Sequence, residues 1–147
     1  MRLTVRAVGM AEDEDDEVLE AGFSENEDGS GIAVFFQRDL FAEDPWEAPA
    51  EETPETSQAP EADLFNNSYC VTTGAGATAY GGVLSIDLSQ SPAQFRLSPR
   101  AASTLGLSET LEITFDVPEE DWERFRRGLR RVVTWGVPSQ VPEVRGL

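Results

Sequence analysis

Of the 28 carboxylates in this 147-residue chain, 19 fall between Met10 and Leu64, a span whose single basic residue is Arg38. The other 9 (28 − 19) are set against ten arginines, so the net charge of -17 is a regional property. Carboxylates at that density cannot be buried unpaired. The core must therefore come from the few apolar runs inside the span and from the residues on either side of it. The hydrophobic fraction, 39%, is low for a globular domain, and the deficit lies in the acidic span. The length suits one domain with one closed core. A surface of this sign attracts cations and basic proteins and repels nucleic acid, which points to binding rather than chemistry.

Several classes of chemistry lack their residues. The chain has 0 histidines, which removes the usual general base at neutral pH and every Ser-His or Cys-His nucleophile. One cysteine, Cys70, rules out an internal disulfide and a multi-cysteine metal site. The first residues, MRLTVRAVGM, lack the apolar run of a signal peptide, and the longest apolar run, Ile32 to Phe36, is far too short to span a bilayer. The expected location is the cytoplasm, with no membrane association.

Along the chain, Leu3 to Val8 alternates like a strand, and AEDEDDE at 11–17 reads as a solvated loop. Val18 to Phe23 and Ile32 to Arg38 read as strands joined by the turn-forming NEDGSG at 26–31. Residues 42–63 hold four prolines, many acids and one large apolar residue, Trp46, with no period of either kind, and are expected to form a mobile surface loop. Strands follow at Ser68 to Thr73, at Ala79 to Leu88 (interrupted by Gly81-Gly82), and at Gln94 to Leu97. Ser98-Pro99 opens a short helix that Gly106 closes. Thr110 to Phe115 is a strand with Leu111, Ile113 and Phe115 on one face. From Pro118 to Val133 the apolar stripe Trp122, Phe125, Leu129, Val132 and Val133 marks an amphipathic helix. Acids fill its first turns and arginines its last, with Glu120–Arg124 and Glu123–Arg127 spaced for ion pairs. Gly128 weakens that helix, so packing must hold it. The tail, 136–147, has two prolines and reads as irregular.

Motifs that mimic known sites fail on context. Gly74-Ala75-Gly76-Ala77-Thr78-Ala79 resembles a dinucleotide-binding turn, but a strand and not a helix follows it, which makes it a glycine-rich hairpin connection. Ser24, Asn26 and Asp28 imitate the start of a calcium loop whose twelfth position would be Phe35, where a bidentate glutamate is required. The arginines between Arg124 and Arg131 read as a solvated, dipole-matched helix face and not as a nucleic-acid contact. Cys70, within a strand, reads as a small buried residue.

The order of the landmarks is more informative than any one of them. Tyr80-Gly81-Gly82-Val83, Leu88-Ser89, Phe95-Arg96-Leu97-Ser98-Pro99, Ala101-Ala102, Leu105-Gly106-Leu107 and Leu111-Glu112-Ile113-Thr114-Phe115-Asp116 follow in that order. Together they resemble the tenth-numbered immunity protein family of bacterial polymorphic toxin systems. The resemblance implies a small acidic α+β protein that binds and blocks a cognate toxin, with no catalytic residues to carry over. Many such toxins are nucleases with basic active sites.

The expected fold is α+β: a largely antiparallel sheet of six or seven strands, the 118–133 helix packed on a face, and one short helix. A single domain is expected over 1–135, followed by the irregular tail. The expected function is neutralisation of a basic toxin domain by stoichiometric binding, without enzymatic activity and without a cofactor or metal. The partner-binding residues proposed on charge are Glu12, Asp13, Glu14, Asp15, Asp16 and Glu47, with Trp46 as the apolar anchor. A homodimer stays open, and the alternatives from other classes are a divalent-cation-binding module and a small enzyme that uses carboxylates.

Overall fold

Two sheets of five strands each, and not one sheet, build the protein. The computed structural model describes residues 1–28, 30–40, 68–136 and 138–147. The strands are β1 (Arg2–Val5), β2 (Ala7–Asp13), β3 (Val18–Ser24), β4 (Ala33–Asp39), β5 (Cys70–Thr73), β6 (Thr78–Tyr80), β7 (Val83–Asp87), β8 (Ala93–Leu97), β9 (Thr110–Phe115) and β10 (Glu143–Arg145). The helices are α1 (Pro99–Leu105) and α2 (Glu119–Val133), with a short 3-10 turn at Pro138–Gln140. Sheet A runs β1-β9-β8-β7-β10 and sheet B runs β2-β3-β4-β5-β6. The loop expected at 42–63, with Trp46 and Glu47, lies outside the described residues, as does Gly29 of the 26–31 turn.

Two runs that look like single strands each bend from one sheet into the other. Leu3 to Val8 divides at Arg6, leaving β1 in sheet A and β2 in sheet B. Ala79 to Leu88 divides at Gly81-Gly82, which carry φ of 68° and 89°, so β6 stays in sheet B and β7 enters sheet A. Glycine suits this corner for a second reason. A Cβ on Gly82 would come within 2.5 Å of the Ala101 Cβ, so α1 seats directly on the bend.

The expectation of a mainly antiparallel sheet holds for sheet B, whose strands pair in sequence order as a meander. Sheet A departs from it at both edges. β1 lies parallel to β9, with Leu3 opposite Ile113, and β10 lies parallel to β7, with Val144 opposite Ile86. The tail is therefore not irregular throughout. Pairing with β7 makes a strand of three residues whose own composition gives no strand signal. Tyr69 anchors the same region: its buried hydroxyl donates to the Gln140 carbonyl at 2.8 Å and accepts from the Val83 amide at 3.2 Å.

The core lies between the sheets. Phe23 and Phe36 of sheet B meet Phe95 of sheet A with ring centroids 5.8 and 5.9 Å apart. Helix α2 packs on the inner face of sheet B against β2, β3 and β4, and turns Phe125, Gly128, Leu129, Val132 and Val133 inward. Phe125 touches Phe23 and Phe115, while half-buried Trp122 packs at a tilt against Phe115, with ring centroids 4.7 Å apart. Glu123 pairs with Arg126 at 2.6 Å rather than with Arg127. The local signals at α1 act as read: the Ser98 hydroxyl accepts the Ala101 amide at 3.1 Å, Pro99 opens the helix, and Gly106 closes it at φ 70°.

Candidate functional site

The two sheets turn unlike faces to solvent. On sheet A one row crosses all five strands as Arg2, Glu112, Gln94, Asp87 and Arg145. Charges of both signs are mixed there, and Arg2 binds Glu112 at 2.9 Å. This is an ordinary solvated face. On sheet B the corresponding rows are Ala11, Glu20, Gln37, Cys70 and Tyr80, and beside it Gly9, Gly22, Phe35, Thr72 and Thr78. Small and apolar residues dominate, and every charge on the outer face of these strands is a carboxylate.

The reason lies partly with Arg38, the one basic residue of the acidic span. β4 alternates, and Arg38 falls on the inner side with Val34 and Phe36. Its guanidinium donates to the Arg131 carbonyl at 3.4 Å, at the negative end of the α2 dipole, and lies over the Trp135 ring at 5.4 Å. These contacts join β4 to the end of α2.

The acidic block sits at one end of sheet B, on the β2–β3 hairpin, and its five proposed residues divide into two groups. Glu12 is in β2 and forms an ion pair with Arg131 of α2. The Asp13 carboxylate accepts the amides of Asp15 and Asp16 at 3.0 and 3.1 Å and so shapes the turn. Ala11–Asp13 is thus strand and not loop. Glu14, Asp15 and Asp16 form no ion pair within the described residues and are exposed in the turn, followed by Glu17 at φ 58°. The sequence cannot separate these roles, because Arg131 is 119 residues from Glu12.

The face holds residues that charge counting missed. Glu20 sits mid-sheet, where the Gln37 side chain donates to it at 2.7 Å, and Gln37 in turn accepts from the Cys70 thiol at 3.6 Å. Burial pushes that thiol's pKa up, away from reactive thiolate character. At the other end of the face, the Ser30 hydroxyl and amide donate to Asp28 at 2.6 and 2.9 Å and hold its carboxyl below the usual range. The alternation of β3, Val18-Glu20-Gly22 against Leu19-Ala21-Phe23, is the signal that could have exposed this face. Phe35 was hidden by the unbroken apolar run of β4.

Gly74 to Ala77 forms the β5–β6 hairpin connection, in agreement with the rejection of a nucleotide turn. Among the described residues no three His, Cys, Asp or Glu side chains converge into a metal-binding group. No described helix is long and apolar enough to cross a membrane.

A family model described as Immunity protein 10 matches residues 4–123, from β1 into α2, and so includes the whole of sheet B. No curated protein matches the chain. No solved structure matches it either.

Proposed function

From the chain's membership of the Immunity protein 10 family we propose that it neutralises a cognate bacterial toxin by forming a stoichiometric complex, without chemistry of its own. The observation that carries this reading is the family match over residues 4–123. The charge distribution agrees with it and suggests the partner's sign: a basic domain, of which a nuclease active site is the leading example. There the acidic end of sheet B would compete with a phosphate backbone. Action inside the cytoplasm of the producing cell follows from the same reading.

Glu14, Asp15 and Asp16 are the best candidates for steering, since they are free of the structural duties of Glu12 and Asp13. Trp46 and Glu47 remain proposed contacts on sequence grounds. The experiment is surface plasmon resonance against the toxin domain encoded beside this chain's gene. Changing Glu14, Asp15 and Asp16 to Lys should leave the melting temperature nearly unchanged and lower the association rate, which steering raises by about 10–10³-fold. The wild-type rate should fall between about 0.01 M and 0.15 M salt, as the Debye length shrinks from about 30 to about 8 Å. A salt-independent rate together with wild-type capture by the triple variant would refute electrostatic steering from this turn.

A further inference from the structure

Gly9 is a residue the fold does not require. It lies exposed in β2 without a positive φ, and a Cβ built there would meet nothing within 4 Å. Glycine in a strand interior costs stability relative to a larger residue, and where the backbone does not demand it, it often marks a close approach by another molecule. Around Gly9 the small residues Ala7, Ala11 and Gly22 leave a concavity of about 450 Å³ on the outer face of sheet B. The Phe35 ring forms one wall, lying over Gly22, where an added Cβ would be 2.5 Å from its Cδ1. Glu20, Glu27 and Asp28 stand around the hollow, and no basic residue lines it among the described residues.

We propose that this groove is the docking site for a basic segment of the toxin, which seats an apolar side chain over Gly9 and Gly22 and places flanking Lys or Arg against Glu20, Glu27 and Asp28. The proposal rests on the immunity reading and specifies its contact surface. Charge selects the occupant. The chain's own segment 41–67 carries eight carboxylates and no basic residue, and a second copy brings a net charge of -17, so both are repelled by the groove. A foreign cationic partner is attracted. Glu20 adds a requirement, because covering a half-buried carboxylate whose only described hydrogen-bond donor is the Gln37 amide strands it unless the partner supplies a donor of positive charge.

The test fills the groove. Gly9→Trp places an indole in space the fold leaves open, and Thr114→Trp places the same group on the exposed outer face of sheet A as a control. Melting by circular dichroism and surface plasmon resonance with the adjacent-gene toxin domain are read on both. Expected is a dissociation rate raised at least tenfold for Gly9→Trp, with melting as in wild type, and wild-type binding by Thr114→Trp. Should Gly9→Trp fail to fold, Ala11→Leu narrows the same groove from an exposed position and should show the same change. Wild-type affinity in a folded groove-filling variant overturns the groove while leaving toxin binding in place. Equal losses in Gly9→Trp and Thr114→Trp also overturn it. Failure of the wild-type chain to bind the toxin domain overturns the immunity reading itself.

Discussion

The sharpest test of how α2 is seated is a double-mutant cycle at Gly128 and Met10. Gly128 lies buried at the middle of α2, where glycine costs about 1 kcal/mol of helix propensity against alanine. The structure explains its presence. A Cβ there would fall 2.3 Å from the Met10 Cγ, 3.0 Å from the Met10 Cβ and 3.5 Å from the Ala21 Cβ. The helix backbone therefore rests directly on β2 and β3. Gly128→Ala gains the propensity, about 1 kcal/mol, but overpacks a contact at a cost of about 1–3 kcal/mol, for a net loss of about 1 kcal/mol. In a Met10→Ala background the Cγ is gone, and only the 3.0 Å approach to Cβ remains to be relieved. There the same substitution should be neutral or stabilising by up to about 1 kcal/mol, giving a coupling of about 1–2 kcal/mol, within the range for residues in contact. Urea denaturation of the four proteins, with unchanged m-values, reads this directly. Strict additivity, or a Gly128→Ala protein more stable than wild type by the full propensity gain, would refute the close seating of α2.

Four further outcomes follow from the packing and the hydrogen bonds. Leu129, fully buried on the inner face of α2, should cost about 2–5 kcal/mol of stability on truncation to Ala, measured by the same denaturation. Ser98→Ala removes the cap of α1 and should lower stability by about 1 kcal/mol, with Ser98→Gly milder. Cys70, its thiol pKa raised by burial, should be alkylated by iodoacetamide much more slowly in the folded protein at pH 8 than in urea; equal rates would contradict its placement. The Asp28 carboxyl, held low by Ser30, contributes stability that is present above the unfolded Asp value of about 3.9 and is lost as pH falls through its lower folded value. Ser30→Ala should therefore raise the Asp28 pKa in a carbon-13 carboxyl titration.

What the sequence revealed and what it withheld divide along sequence distance. Ser98, Pro99 and Gly106 act within one helix, so α1 was legible from local chemistry, as were the alternation of β9 and the stripe of α2. The division into two sheets depends on bends at Arg6 and at Gly81-Gly82 and on pairings such as Leu3 with Ile113, which no local pattern encodes. β10 is held by a parallel neighbour nearly sixty residues away, so the prolines that precede it and its short length concealed it. At the site the acidic character was plain, but the division of labour was not. Asp13 shapes the turn through amides two and three residues on, whereas Glu12 answers an arginine from the far end of the chain. Gly9 reads in sequence as one more small residue, and only the sheet shows that it faces open space.

The arrangement of charge bears on why the face is built as it is. Few arginines reach the acidic half: Arg131 pairs with Glu12, while Arg126 is engaged with Glu123 and the Gly146 carbonyl. The carboxylates of the β2–β3 turn and of the groove are left to repel one another, which opposes folding and does nothing for the core. Sheet A shows that the same chain can build a solvated face of mixed sign, so the one-sided face of sheet B is not a by-product of composition. On the proposed reading the two features serve different stages of one encounter. Glu14, Asp15 and Asp16 act at a distance and set how fast a basic partner arrives. The hollow over Gly9 acts only on contact and sets how long the partner stays. Affinity among related complexes varies mostly through the second quantity, so a toxin variant that escapes neutralisation should differ at the side chain that enters the groove before it differs in net charge.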